Sequence, residues 1–188
     1  IVRLVHRGLG VPELARAVRP VLNRAVPFDG TCLLTMDPAT LLPTGEVVDN
    51  GLPAAPMIRL TEIELREPDY NKFTDLARGC QPAAGLSEAT AGDLCRSLRQ
   101  RELHRPSGFE DELRVVLSDA TGTWGALTLL RETGRPHFTR ADIRFVASLA
   151  APLADGVRRA TLLAATVDNA FTDVGLLILA TDGTIEMS

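Results

Sequence analysis

The sequence predicts an α+β fold built on an antiparallel sheet. Amphipathic helical segments stand at both ends of the patterned region, and the segments with strand character lie between them in two hairpin-like pairs. Strands and helices that are segregated in this way indicate an antiparallel sheet on which the helices pack. The length of 188 residues suits one domain, or one domain with a fragment of another.

The first helix is predicted over Val11–Ala25, where apolar side chains recur at helical spacing. Pro20 lies inside this segment and is expected to kink it, because a proline removes one backbone hydrogen bond and its ring clashes with the preceding turn. Residues 31–36 and 46–48 are predicted strands that pair antiparallel. A helix followed by a β-hairpin is therefore expected at the start of the domain.

Residues 57–103 are predicted to form an insert of mixed helix and loop. Residues 70–77 have apolar side chains at helical spacing, residues 86–92 are typical of a loop, and residues 93–101 are consistent with a short helix. We expect this insert to cover the face of the sheet that the terminal helices leave free.

The strongest strand patterns are residues 112–117 and 124–130, which the turn at 119–122 joins into a hairpin. A long helix is predicted from Thr139 to about residue 165. Thr139 is a favourable N-cap, and a carboxylate such as Asp142 is stabilised in the first turn by the helix dipole. Pro152 is expected to kink this helix.

Composition and charge exclude several classes of protein. Hydrophobic residues make up 45% of the chain and charged residues 23%, as in a soluble globular protein. The formal net charge of −4 argues against direct nucleic-acid binding by this segment. No apolar run is long enough to span a bilayer, so no membrane association is expected, and the three widely spaced cysteines fit a reducing cytoplasm.

The strand sequence Glu-Leu-Arg-Val-Val-Leu at 112–117, the Trp-Gly-Ala-Leu sequence at 124–127 and the helix that follows Thr139 together resemble the GAF domain, a small-molecule sensor fold. The resemblance covers about residues 11–165. It implies a central antiparallel sheet with the terminal helices on one face and the helical and loop insert on the other.

Further motifs resemble the GAF-type sensor of bacterial regulators that end in a LuxR-type helix-turn-helix: residues 73–78, residues 86–90 and Arg105-Pro106 before Gly108-Phe109. This resemblance implies a non-enzymatic, cytoplasmic sensor domain over residues 1–166, with DNA binding left to a downstream domain. Residues 174–179 and 181–185 have a strand-turn-strand pattern similar to the opening of a PAS domain, so residues 167–188 are expected to be a linker and a truncated PAS start. The alternative is a hairpin that completes the first domain.

The GAF resemblance implies a ligand pocket between the sheet and the insert, with no cofactor identified. The expected lining residues come from the first strand, the insert and the central hairpin: Leu34, Met36, Tyr70, Phe73, Cys95, Val115 and Leu127. Each of them, taken singly, is more typical of core packing than of a binding site.

Other chemistries of GAF-like domains find little support in these residues. Leu130-Arg131 stands where cyclic-nucleotide binders have Asn-Lys, and Cys95-Arg96 lacks the histidine of a bilin attachment site. His104 is the one plausible haem ligand, and a lone histidine is far more often a packed residue. The acidic run at 110–112 is expected to be solvated rather than to bind a metal, since charge runs are usually exposed.

Three functional hypotheses remain open. The first is a sensor that binds an unidentified small molecule and forms a homodimer through its terminal helices. The second is a ligand-free dimerisation scaffold with a closed core. The third is a thiol enzyme, which requires Cys80 and Cys95 to lie close together and face a cavity. No catalytic motif of other enzyme classes is present in the sequence.

Overall fold

The computed structural model describes residues 1–53, 56–169, 178–179 and 185–186. A five-stranded antiparallel sheet forms the centre of the domain, with the spatial strand order β2-β1-β5-β4-β3. Its strands are β1 (Gly30–Met36), β2 (Pro43–Asp49), β3 (Ala83–Gly85), β4 (Phe109–Asp119) and β5 (Gly122–Glu132).

Helices precede, interrupt and follow the strands. They are α1 (Val2–Val5), α2 (Val11–Ala25), α3 (Met57–Arg66), α4 (Phe73–Arg78), α5 (Leu86–Ala89), α6 (Arg140–Ser148) and α7 (Ala150–Asn169). Short turns complete the insert: 3₁₀ turns at Leu94–Arg96 and Arg105–Ser107, and a π-helical turn at Gln100–His104. The predicted α+β class, with terminal helices on one face and the insert on the other, is confirmed.

The β4–β5 hairpin divides the molecule into two layers. Successive residues of a strand point to opposite faces of the sheet, so Leu113, Val115 and Leu117 of β4 pack into the core beneath the terminal helices. Glu112 and Arg114 alternate with them and point toward the insert. Each layer therefore touches a different set of side chains from the same strand.

The helix layer is an apolar core formed by α2, α7 and the sheet. Leu14 and Leu22 of α2 and Val157 of α7 are among its buried side chains. Short α1 packs on α7 at Gly156, where a Cβ atom would lie 2.7 Å from Cγ1 of Val5. Glycine is therefore the residue that lets these two helices approach each other so closely.

The C-terminal helical segment differs from the single kinked helix that was predicted. Thr139 caps α6 as expected: its Oγ1 accepts a hydrogen bond from the backbone N–H of Asp142 at 3.1 Å, and the Asp142 carboxylate accepts one from the N–H of Thr139 at 2.9 Å. The helix then breaks at Leu149 and restarts as α7. Pro152 explains the break, because it has no N–H for the carbonyl of Ser148 and its ring crowds that carbonyl. In contrast, Pro20 lies within α2, which runs as one element.

The insert departs further from its prediction. The helix predicted from residue 70 begins only at Phe73, and the region predicted as a loop at 86–92 contains α5. The short helix predicted at 93–101 is replaced by a 3₁₀ turn and a π-helical turn. Its regular hydrogen bonding is interrupted because the Asp69 carboxylate accepts the backbone N–H groups of Leu98 and Arg99, at 3.3 and 3.0 Å.

At the C-terminal end, the predicted domain boundary at residue 166 falls inside α7. Residues Ile178–Leu179 (β6) and Ile185–Glu186 (β7) form a two-stranded antiparallel pair. The remainder of the predicted strand-turn-strand pattern, at 174–177 and 180–184, lies outside the described residues. Among the helices that the structure describes, none is long and apolar enough to cross a membrane.

Candidate functional site

A cavity of about 300 Å³ lies between the sheet and the insert. Strands β1, β4 and β5 form its floor, and β2, α3 and α4 form its walls. Most of the lining is apolar, which is typical of small-molecule sites. The apolar lining includes Leu34, Met36, Leu60, Leu65, Phe73 and Leu130, and the polar lining of the interior includes Glu64, His104, Glu112, Arg114 and Thr128.

Of the seven residues predicted to line this pocket, three do so: Leu34, Met36 and Phe73. The placement of Val115 and Leu127 was wrong. These two residues are register partners in the β4–β5 hairpin, and both belong to the core under the terminal helices. Because successive residues of a strand point to opposite faces, the side chains next to Val115 and Leu127 face the cavity, while Val115 and Leu127 face the helices.

The other two predicted residues, Tyr70 and Cys95, also lie outside the lining. The Tyr70 ring stacks under the Arg96 guanidinium, 5.4 Å from ring centre to Cζ. Cys95 is exposed, and its Sγ accepts a hydrogen bond from Arg105 Nη1 at 3.3 Å. Both belong to the irregular part of the insert, where helical spacing does not predict direction.

The cysteines do not assemble in the cavity. The thiol-enzyme hypothesis requires Cys80 and Cys95 to face a cavity. Both residues are exposed, and neither lines this cavity. Cys32 does line it, but burial raises the pKa of this thiol to about 12. A thiol with such a pKa is a poor nucleophile at neutral pH, because the thiolate is the reactive form.

A buried ion network lies beneath the cavity and is centred on Arg99, whose side chain is fully buried. Arg99 Nη1 lies 3.1 Å from Asp69 Oδ2 and donates to the Tyr70 carbonyl at 2.7 Å, while Nε donates to Glu112 Oε2 at 2.8 Å. The guanidinium thus joins two segments of the insert to the central strand. Such ion pairs are costly to break, because the remaining charge stays buried without a partner.

Arg114 extends this network to the wall of the cavity. Its Nε donates to Glu112 Oε1 and its Nη1 donates to Glu64 Oε2 of α3, both at 2.7 Å. Its guanidinium also stacks on the Phe73 ring, 4.3 Å from ring centre to Cζ. Glu64 in turn accepts the Phe73 backbone N–H at 2.6 Å. Arg114 is therefore the side chain that connects the floor of the cavity with α3 and α4.

The acidic run at 110–112 is not the solvated segment that the sequence indicated. Asp111 and Glu112 are each 1% exposed. Burial alone would raise the pKa of Glu112, but the guanidiniums of Arg114 and Arg99 outweigh it and hold that pKa well below its usual range. Asp111 accepts hydrogen bonds from Ser87 and from the backbone N–H of Phe138, so it ties α5 to the segment before α6.

His104 is a buried residue that reaches the cavity from the π-helical turn. It is 2% exposed, and its Nδ1 has no hydrogen-bond partner among the described residues. Its Nε2 lies 4.0 Å from Glu112 Oε1, too far for a hydrogen bond. Burial lowers the pKa of His104 to about 4, against the opposing effect of Glu112, so the imidazole is neutral at pH 7. Among the described residues, no group of three or more His, Cys, Asp and Glu side chains is placed to hold a metal ion.

Sequence reasoning missed Glu64, Arg99, Arg114 and Thr128, and it considered His104 only as a haem ligand. One signal was present. Glu112 and Arg114 stand two residues apart in a strand that is otherwise apolar, so they share one face. An acid and a base on the same face of a central strand covered on both sides are expected to be a buried ion pair, because neither can reach water.

A scan against protein-family models and a search of curated proteins found no match to this chain. Solved structures do resemble it. The GAF domain/HD domain protein from Geobacter sulfurreducens is 18% identical, with a TM-score of 0.52, over 88% of this chain and 98% of that chain. The VqsR LBD domain from Pseudomonas aeruginosa is 16% identical, with a TM-score of 0.56, over 85% and 93%. Escherichia coli SdiA is 11% identical, with a TM-score of 0.50, over 95% and 70%. These similarities show a GAF-like fold.

Proposed function

We propose that this chain is a non-enzymatic sensory module that binds a small molecule in the cavity between the sheet and the insert. The observation that supports the proposal is the cavity itself, about 300 Å³ between the sheet and the insert, which the buried side chains of His104, Glu112 and Arg114 reach. Protein interiors are normally close-packed, so a ligand-free scaffold would be expected to fill this space with side chains. A second cavity of about 270 Å³ lies between α2 and the sheet, but the charged residues of its lining, Arg16, Arg19 and Asp49, are not buried. The mixture of an apolar lining with a few buried polar groups fits a small-molecule ligand.

The proposed setting is a cytoplasmic bacterial transcription regulator of the LuxR type. Two of the structurally similar proteins, VqsR and SdiA, are regulators, and the sequence motifs of the insert favour the same context. In this proposal DNA binding belongs to a downstream helix-turn-helix domain. Residues 167–188 are then a linker and the start of a PAS domain.

The signal would leave the cavity through β4. Neighbouring residues of this strand face the cavity and α7 alternately, so a ligand that shifts Arg114 also shifts Val115 against the terminal helices. A ligand changes the conformational equilibrium only by its differential affinity for the two arrangements.

Two apolar side chains on α6 and α7, Phe145 and Leu162, are 40% and 49% exposed. We propose that a second copy of the chain covers this face and forms the homodimer. Light scattering of Phe145→Glu should then report a monomer where the wild type is a dimer.

Ligand binding can be tested by a thermal-shift screen that includes a blocked cavity. Leu60→Trp places an indole in the cavity from α3, and Ile58→Trp places the same residue on the exposed side of the same helix as a matched control. A ligand at 100 times its Kd stabilises the folded state by about 2.7 kcal/mol, which raises Tm by about 5–10 °C for a domain of this size. A true cavity ligand should shift the Tm of the wild type and of Ile58→Trp, and leave that of Leu60→Trp unshifted. If every compound that binds shifts all three proteins alike, the cavity is not the binding site.

A further inference from the structure

Five polar side chains in the interior of the cavity form one group, which we call the polar patch: Glu64, His104, Glu112, Arg114 and Thr128. Arg114 bonds both carboxylates of the patch. Thr128 is its register partner on β5, and His104 approaches Glu112 to 4.0 Å. The other polar side chains of the lining are Thr44, Glu46, Thr61 and Thr74, and the first three of them are exposed. A molecule enclosed in the cavity therefore meets buried polar groups at the polar patch.

The carboxylates of the polar patch are already engaged. Glu112 accepts from Arg99 through Oε2 and from Arg114 through Oε1. Glu64 accepts the Phe73 backbone N–H through Oε1 and Arg114 through Oε2. A cationic ligand would have to compete with these bonds for its partner. The remaining lining carboxylate, Glu46, is exposed on β2, where an ion pair contributes little.

The charges around the cavity also disfavour an anionic ligand. The carboxylates of Asp69, Glu64 and Glu112 outnumber the guanidiniums of Arg99 and Arg114 by one. His104 adds no positive charge at neutral pH, since burial lowers its pKa to about 4. An anionic head group would therefore enter a desolvated site of net negative charge, with no unpaired cation to receive it.

The polar patch still has hydrogen-bond donors and acceptors that no described residue uses, although its charges are all paired. The Thr128 hydroxyl and Arg114 Nη2 make no hydrogen bond to any described residue, and the His104 ring nitrogens have none either. A neutral imidazole offers one donor and one acceptor, a hydroxyl offers both, and Nη2 offers donors. Together they match a carbonyl oxygen and an adjacent N–H or O–H group.

We infer that the cavity binds an uncharged, mainly apolar molecule whose single polar group is an amide or a similar carbonyl, held by Thr128, His104 and Arg114. This inference rests on the proposed function, since it assigns the chemical class of ligand to the same cavity. The apolar body of the ligand then lies against Leu34, Leu60 and the other aliphatic side chains of the lining.

Three probes with the same eight-carbon chain test the inference: octanamide, octanoate and octylamine. Calorimetric titration of the full chain at pH 7.5 should show octanamide binding at least ~10-fold more tightly than either charged probe. Thr128→Val keeps the side-chain shape and removes the hydroxyl, so it should weaken octanamide binding about 3- to 10-fold. Thr123→Val is the matched control on the same strand, because Thr123 is buried away from the cavity and bonds Ser118; it should leave binding unchanged.

The outcomes separate the inference from the proposed function. Equal binding of the three probes, or a preference for octanoate or octylamine, would overturn the neutral-ligand inference and leave a small-molecule sensor standing. Binding of octanamide that Thr128→Val and Thr123→Val affect alike would overturn the assigned polar contacts. If none of the probes binds, the inference fails, and the screen with Leu60→Trp then decides on the proposed function independently.

Discussion

His104 should make the stability of this domain fall as the pH drops from 7 to 5. The unfolded chain has an ordinary histidine pKa of 6.5, whereas burial lowers the folded-state pKa of His104 to about 4. Between these values the unfolded chain binds the proton and the folded chain does not, so protonation favours unfolding. The stability due to a neutral His104 is thus present above pH 6.5 and is lost as the pH falls toward 4.

The size of the effect follows from the pKa difference. At 1.36 kcal/mol per pKa unit the full loss is on the order of 3 kcal/mol, of which about 2 kcal/mol develops between pH 7 and pH 5. The charged groups around His104 are Glu112, Asp69, Arg99 and Arg114. They keep their charges in this window, because the guanidiniums hold the pKa of both carboxyls below its usual range and so move their titration to lower pH.

Urea unfolding followed through the one tryptophan, Trp124, measures the effect at pH 7, 6 and 5. His104→Gln and His104→Leu remove the titrating group, so their stability should fall by about 2 kcal/mol less than that of the wild type over this range. Two variants of different polarity are used so that the test still stands if one of them fails to fold. The reasoning is refuted if the wild type and both variants lose stability in parallel, or if NMR shows the His104 imidazole titrating near pH 6.5.

Three further predictions test the network, the helix cap and the thiols. Arg99→Met should cost about 3–5 kcal/mol in urea unfolding, because it leaves the buried Asp69 carboxylate without its ion-pair partner and Glu112 with Arg114 alone. The exposed Arg16→Met should cost under ~1 kcal/mol, and equal costs would contradict a buried network. Thr139→Ala should cost about 1 kcal/mol through loss of the N-cap, with Thr139→Ser close to wild type; no difference between the two would exclude the capping role. A thiol reagent at pH 8 should label the two exposed cysteines rapidly and Cys32 only after unfolding. Rapid labelling of all three would show that the cavity is open to the reagent.

Local patterns predicted the elements that local physical chemistry decides. The bounds of α2 agree with the structure to the residue, because its apolar spacing and the proline in its first turn act within the helix itself. The central hairpin was predicted for the same reason, since its turn and its alternating strands lie next to each other in sequence. The capping of α6 by Thr139 required only the side chain three residues further on.

The candidate site was predicted only in part, because it depends on which face of each strand is covered. Leu34 and Met36 were placed in the cavity correctly, whereas Val115 and Leu127 were assigned to the wrong face of a hairpin that is covered on both faces. Apolar periodicity shows that two faces exist but does not say which one meets the insert. That choice is made by contacts between residues far apart in the chain, such as the bond from Arg114 to Glu64.

By itself, the sequence determined the fold class and the order of its main parts, which are a helix, a hairpin, an insert, a second hairpin and a C-terminal helical segment. The tertiary structure decided the chemistry of the cavity. Whether Glu112 is a solvated acid or part of a buried ion network depends on Arg99 and Arg114 lying against it, and whether His104 is charged depends on its exclusion from water. Charge, solvation and access are properties of the folded environment, and residue types in order along a chain do not contain them.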